Sequence, residues 1–181
     1  MRVISGTARG RKLKTPAGHS IRPTGDRVKE SIFNIIHFDI EGRRVLDLFA
    51  GTGQIGIEAL SRGARSAAFV DSASDSIKLI KENLKTCGFS EISTIHSRDA
   101  VRFLEGEDKY DLIFIDPPYD TQLLKKAIDK IVEFDKLNIN GIMMCESKTD
   151  MPTPEITAPY SLQKEYKYGS VKILKYTREN V

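Results

Sequence analysis

Residues Arg44-Val45-Leu46-Asp47-Leu48-Phe49-Ala50-Gly51-Thr52-Gly53-Gln54-Ile55-Gly56 run from a short apolar stretch straight into a glycine-rich turn. Val45–Phe49 suits a strand buried on both faces. Gly51, Gly53 and Gly56 let the backbone take positive φ and come close to a ligand. The residues beyond predict a helix as far as Arg62. The same alternation continues outward. Ala67–Asp71 predicts a second strand. Ile77, Ile80, Leu84 and Cys87 make a helical stripe that stops at Gly88. Ile92–His96 and Tyr110–Asp116 predict a third and a fourth strand, Leu123–Val132 an amphipathic helix, and Gly141–Glu146 a fifth strand. Strand alternating with helix means a mostly parallel sheet covered by helices on both faces. Pro152, Pro154 and Pro159 then mark a loop. Ser161–Tyr168 and Val171–Tyr176 read as an antiparallel hairpin around Gly169-Ser170, closing one sheet edge.

Upstream, 2–5 and 11–14 read as two short strands about Gly6 and Gly10. Thr24 offers a helix N-cap, followed by an apolar face of Val28, Ile32, Ile35 and Ile36. Gly42 ends that unit. The division predicted is a basic extension over 1–42 and a core over 43–181. The first 30 residues carry eight basic and two acidic side chains, a local charge of +6 within a chain of net +3. A basic arm on a mildly acidic body points to a polyanionic partner. With 181 residues, 40% hydrophobic and 29% charged, the chain is expected to be globular. No apolar run approaches membrane-spanning length and the N-terminus lacks a signal-peptide core, so a cytoplasmic protein is expected. Cys87 and Cys145 stand 58 positions apart and the three histidines are isolated, so neither a redox pair nor a metal site is expected.

Asp71 ends the second predicted strand, where a carboxylate can accept hydrogen bonds from both hydroxyls of a ribose. By itself this fits a nicotinamide dinucleotide, the adenosine half of S-adenosylmethionine, or a tight turn without a ligand. Asp116-Pro117-Pro118-Tyr119, at the carboxyl end of the fourth strand, narrows the choice. Two prolines remove two backbone donors and hold the chain extended. Asp116 and the Pro117 carbonyl can therefore both accept from one planar NH₂ group, while Tyr119 stacks on the ring bearing it. Such an amine is a poor nucleophile, because its lone pair is delocalised. Two acceptors orient it and stabilise the positive charge that grows as a methyl arrives. A sulfonium methyl donor is already activated, so positioning carries most of the remainder. A dehydrogenase has no use for this tetrad.

The glycine turn with Asp116–Tyr119 resembles a class I S-adenosylmethionine-dependent methyltransferase acting on an exocyclic amine, with its Rossmann-like seven-stranded sheet. Arg2–Gly6, Gly10–Leu13 and Arg22-Pro23-Thr24-Gly25-Asp26-Arg27-Val28-Lys29-Glu30 are similar to the bacterial 16S rRNA guanine-N2 methyltransferase family of the RsmD type, over nearly the whole chain. The resemblance implies methylation of one guanine N2 in 16S rRNA of an assembling small ribosomal subunit, by a monomer. It implies that Asp47, Phe49, Ala50, Gly51, Thr52 and Gly53 hold the methionine side of the cofactor. Asp71 and Ser72 would hold the ribose, and Asp99 and Ala100 the adenine, with Thr24 at the entrance. Arg9, Arg11, Lys12, Lys14, Arg22 and Arg27 would meet RNA phosphates, and the target base would leave its stack to reach Asp116. A DNA N6-adenine methyltransferase shares the tetrad but usually carries a separate recognition domain. A protein glutamine-N5 methyltransferase usually has Asn where this chain has Asp116.

Overall fold

The computed structural model describes residues 1–16, 23–118 and 121–180. Arg22 and Tyr119 lie outside the described residues, as does the side chain of Thr24. The order is α1 (Pro23–Ile35), β1 (Arg44–Leu48), α2 (Gln54–Ser61), β2 (Ser66–Asp71), α3 (Ser74–Cys87), β3 (Ser93–Ser97), α4 (Ala100–Phe103), β4 (Tyr110–Ile115), α5 (Thr121–Glu133), β5 (Leu137–Lys148), β6 (Tyr160–Tyr168) and β7 (Val171–Arg178). The seven strands form one sheet in the order β3-β2-β1-β4-β5-β7-β6. β1 to β5 run parallel, and β7 inserts antiparallel between β5 and β6. This is the mostly parallel, doubly covered sheet with a C-terminal antiparallel hairpin that the alternating pattern predicts.

Each strand feeds two cores, because successive side chains point to opposite faces. Val45, Phe69, Leu112, Phe114, Ile142 and Met144 pack under α1, α2 and α3. Leu46, Val70, Ile113, Ile115, Met143 and Cys145 pack under α4 and α5. The same alternation, followed toward the carboxyl ends of these strands, puts Asp47, Asp71, Asp116 and Glu146 on the face of the first three helices. The parallel register pairs Ile115 with Cys145. Asp116 and Glu146 therefore come next to each other at the carboxyl ends of β4 and β5.

Three details depart from the expected elements. The strands expected over 2–5 and 11–14 reduce to a single antiparallel bridge between Arg2 and Lys12. The reason is that the amides between them bond to α2 instead. Ile4 and Ser5 donate to the Glu58 carboxylate at 2.8 and 2.9 Å, Thr7 to the Ser61 carbonyl and Ala8 to Ser61 Oγ. Helix α1 begins at Pro23, whose fixed φ suits a first helical position, so Thr24 lies inside the first turn rather than capping it. β5 begins four residues before Gly141, because a bulge between the pairs Tyr110–Leu137 and Leu112–Ile142 absorbs the extra residues around Asn140, whose φ is 60°.

The arm and α1 share a core with the sheet. Val3, Ala8 and Leu13 are buried with Val28, Ile32, Phe33 and Ile36. Among the described residues no helix is long and apolar enough to cross a membrane.

Candidate active site

The glycine turn leaves β1 sharply. Phe49, Gly51 and Gly53 have φ of 66°, 56° and 76°. Gly56 begins α2 so close to β2 that a Cβ there would lie 2.4 Å from the Phe69 ring. The Gly56 amide donates to Asp47 Oδ2 at 2.8 Å. Asp47 thus clamps the start of α2 to the end of β1. Burial pushes its carboxyl up to about 8; the Gly56 bond acts the other way, and the charges of Asp116 and Asp71 add to the rise.

Asp71 has a second job beside the one expected. Its Oδ2 accepts from the Gly51 amide at 2.8 Å and its Oδ1 from the Ala73 amide at 2.8 Å, fixing the turn and the entry to α3. Asp99 accepts from the Arg102 amide through Oδ1 and caps α4, with Ala100 buried behind it. Ser72 is exposed, and Phe49 and Thr52 are half-buried. A Cβ added at Gly51 would meet nothing within 4 Å. The turn therefore leaves open space at Gly51, and a glycine turn with a carboxylate at the end of the next strand is a set of residues that fits an adenosine with an amino-acid tail. Among the described residues no three His, Cys, Asp or Glu side chains are placed to hold a metal.

Asp116, Pro117 and Pro118 follow β4 as expected. They separate two cavities. One, of about 330 Å³, is bounded by Lys29 and Ile32 of α1, Gln54 and Ile55 of α2, and Asp116 and Glu146. The other, of about 570 Å³, lies between these prolines, Lys125 and the loop Asp150–Glu155. Asp116 is exposed and opens onto both. Protein atoms crowded about its carboxyl still thin the water around it, and this raises the carboxyl above the ordinary range. Glu146 is raised for the same reason, and further by the Asp116 charge.

The basic arm lies against the site. Arg9, Arg11, Lys12, Lys14 and Arg27 are exposed. Lys14 pairs with Glu82 at 2.9 Å on the surface, and its backbone amide and carbonyl are both held by Asn83. Asn83 also donates to the Thr52 carbonyl at 2.9 Å. One buried amide thus ties the arm to the glycine turn. At the other end Met1 Sδ accepts from the Thr52 hydroxyl at 3.5 Å.

The family model described as conserved hypothetical protein 95 matches residues 1–177. The chain belongs to this family. Ribosomal RNA small subunit methyltransferase D of Haemophilus influenzae is 36% identical over 182 residues, covering 97% of this chain and 93% of the relative. YlbH of Bacillus subtilis is 41% identical over 182 residues, covering 98% and 99%. The solved structure of yhhF from Escherichia coli superposes with a TM-score of 0.90 at 30% identity, covering 100% of this chain and 99% of that one.

Four side chains around the family's glycine turn and Asp116 escaped the sequence reading. Glu146 and Gln54 line the smaller cavity. Glu58 is fully buried and takes the Ile4 and Ser5 amides, Arg62 Nε at 2.9 Å and, at 3.7 Å, the buried Lys29 ammonium. Asn83 is the fourth. For Glu58 and Asn83 a signal was present, since each interrupts an apolar helical face. For Glu146 there was none without the register.

Proposed function

We propose that this chain transfers a methyl group from S-adenosylmethionine to the exocyclic N2 amine of a guanine in 16S rRNA of the small ribosomal subunit. The observation that carries the reading is Asp116 with its two following prolines, set beside the glycine turn and opening on a cavity under α1. The names of the relatives support rRNA as the substrate class. The sulfonium supplies an electrophilic methyl group. The chain's own residues do the rest. Asp116 and the Pro117 carbonyl accept the two amine hydrogens, orient the nitrogen lone pair and stabilise its growing positive charge. Tyr119 stacks on the base. Asp71 and Asp99 hold the ribose and the adenine, and Asp47 keeps the turn that carries the methionine end in shape.

Residues 1–42 serve as an RNA-gripping extension and 43–181 as the transfer core. The exposed cations Arg9, Arg11, Lys12, Lys14 and Arg27, with Arg22, contact phosphates of the assembling subunit. The enzyme works as a cytoplasmic monomer.

The test is transfer of labelled methyl to small subunits lacking the modification, naked 16S rRNA, duplex DNA and total protein, followed by digestion. N2-methylguanosine from the subunits is the expected product. Label in DNA adenine or in protein glutamine would overturn the substrate while keeping the cofactor.

A further inference from the structure

The wall of the smaller cavity is rich in acceptors. Asp116 and Glu146 sit side by side at the ends of β4 and β5, both on the face of α1 and α2. Pro117 and Pro118 carry no N–H, so this part of the wall offers oxygen atoms only. Opposite them stands Gln54, whose Oε1 is buried and finds no hydrogen-bond partner among the described residues. A buried acceptor without a donor is costly. Gln54 Oε1 is itself enclosed by protein, so the acceptors that meet a ligand in this cavity are those of Asp116, Pro117 and Glu146.

An amine alone does not use such a wall. Two acceptors, Asp116 and the Pro117 carbonyl, already satisfy both hydrogens of an NH₂ group. Glu146 adds a further acceptor on the neighbouring strand, ~4.8 Å away across the sheet. The base that matches has a ring N–H next to its exocyclic amine. Guanine has that arrangement, with N1–H beside N2–H₂. Adenine has the reverse, since its N1 is a lone pair beside the N6 amine.

Resting on the guanine reading above, we propose that Glu146 is the residue that reads base identity, accepting the guanine N1–H while Asp116 and Pro117 hold the N2 amine. Once ionised, the carboxylate would repel the N1 lone pair of adenine. Withdrawal from water leaves Glu146 with an unusually high proton affinity, with Asp116 as the neighbouring carboxylate and Lys29 as the cation lining the same cavity. Donors from guanine favour the ionised form, so the base and the proton compete for Glu146. A base with a lone pair at N1 can be met only by the protonated acid, so its hold weakens as pH climbs through the raised value, whereas that of guanine does not.

The test uses 2-aminopurine, which keeps the N2 amine but has a lone pair at N1. Small subunits are assembled on 16S rRNA ligated around a synthetic segment with guanine or 2-aminopurine at the methylated position. Assayed above the raised value of Glu146, at about pH 9, the unsubstituted enzyme is expected to favour guanine by about 10–100-fold in kcat/KM, the scale of one hydrogen bond to a charged group. Because 2-aminopurine also lacks O6, the decisive quantity is the change of this ratio on substitution. In Glu146→Gln the amide can donate to the N1 lone pair, and the ratio is expected to collapse at least tenfold. Calorimetric cofactor affinity is expected to stay unchanged, which reports that the variant is folded. An unchanged ratio in a variant that binds cofactor normally would overturn the role of Glu146 alone. Failure of the unsubstituted enzyme to form N2-methylguanosine would overturn the guanine reading itself, and this inference with it.

Discussion

At the end of the sheet where β1 and β4 begin, three carboxylates each have donors. Asp111 accepts from the Arg44 amide and from Asn138, and Asp108 takes the Arg44 guanidinium at 2.7 Å. Asp135 gathers Arg178 at 2.6 Å, Lys109, and the Tyr160 hydroxyl at 2.9 Å. The Arg178 guanidinium, ahead of the other partners, holds the Asp135 carboxyl well below its ordinary range, and Arg44 does the same for Asp108. At the other end, where β1, β4 and β5 finish, Asp47, Asp116 and Glu146 form no ion pair among the described residues and are all raised. One sheet thus keeps its paired charges at the end that holds the fold and its costly ones at the end that meets ligands. Carboxylates crowded by protein without a cation cost stability. Under the function proposed above, a substrate supplies donors at this end.

The largest test of this contrast is Asp116→Ala. Turnover is expected to fall by roughly 10²–10³, the scale of losing one preorganised partner in a transition state, with cofactor affinity kept. Thermal stability should hold or rise at neutral pH and above. A carboxyl raised in the folded state contributes stability only at low pH and loses it as pH climbs through the raised value. A Tm drop of several degrees would place Asp116 among the groups that hold the fold, and would break the contrast.

Asp135→Asn probes the opposite end. A carboxyl depressed in the folded state contributes stability above its ordinary value, and loses it as pH falls. The variant is expected to cost about 1 kcal/mol at pH 7, discounted for solvent screening, or about 2–4 °C in Tm. The gap to the unsubstituted protein should close as the melts are repeated below about pH 4. A gap that stays constant with pH would mean that shape rather than charge holds that corner.

The smallest effect sharpens the contrast from outside. The arm supplies cations near the acidic end without neutralising it, because Arg9, Arg11 and Lys12 are exposed. Reversing all three charges is expected to weaken RNA binding and flatten its log–log salt dependence by roughly 0.7–0.9 for each phosphate no longer neutralised. Identical slopes would leave the arm as a solvated edge held down by Glu58 and Ser61.

Much of the acidic end was legible in the residues. Asp71 closes an apolar run and Asp116 is followed by prolines, so each reads as the end of a buried strand, while Asp47 interrupts its run just before the glycine turn. What stayed hidden was what these groups bind when no ligand is considered. Asp71 serves the Gly51 and Ala73 amides, which no spacing rule announces. The arm reads as a hairpin because its amides have no evident partner in the sequence. Glu58 and Ser61, more than fifty residues away, take them first.

The amino-acid sequence by itself determined the alternation of strand and helix, the glycine turn, the Asp116-Pro117-Pro118 wall and the charge of the arm. All of these follow from local periodicity, backbone sterics and composition, which act over a few neighbouring residues. Only the tertiary structure decided that Glu146 stands beside Asp116, that Asn83 joins the arm to the turn, and that Gln54 Oε1 is buried without a partner. Those facts depend on strand register and on helices closing over a shared face. Each is set by the packing of residues distant in the chain, which no local pattern encodes.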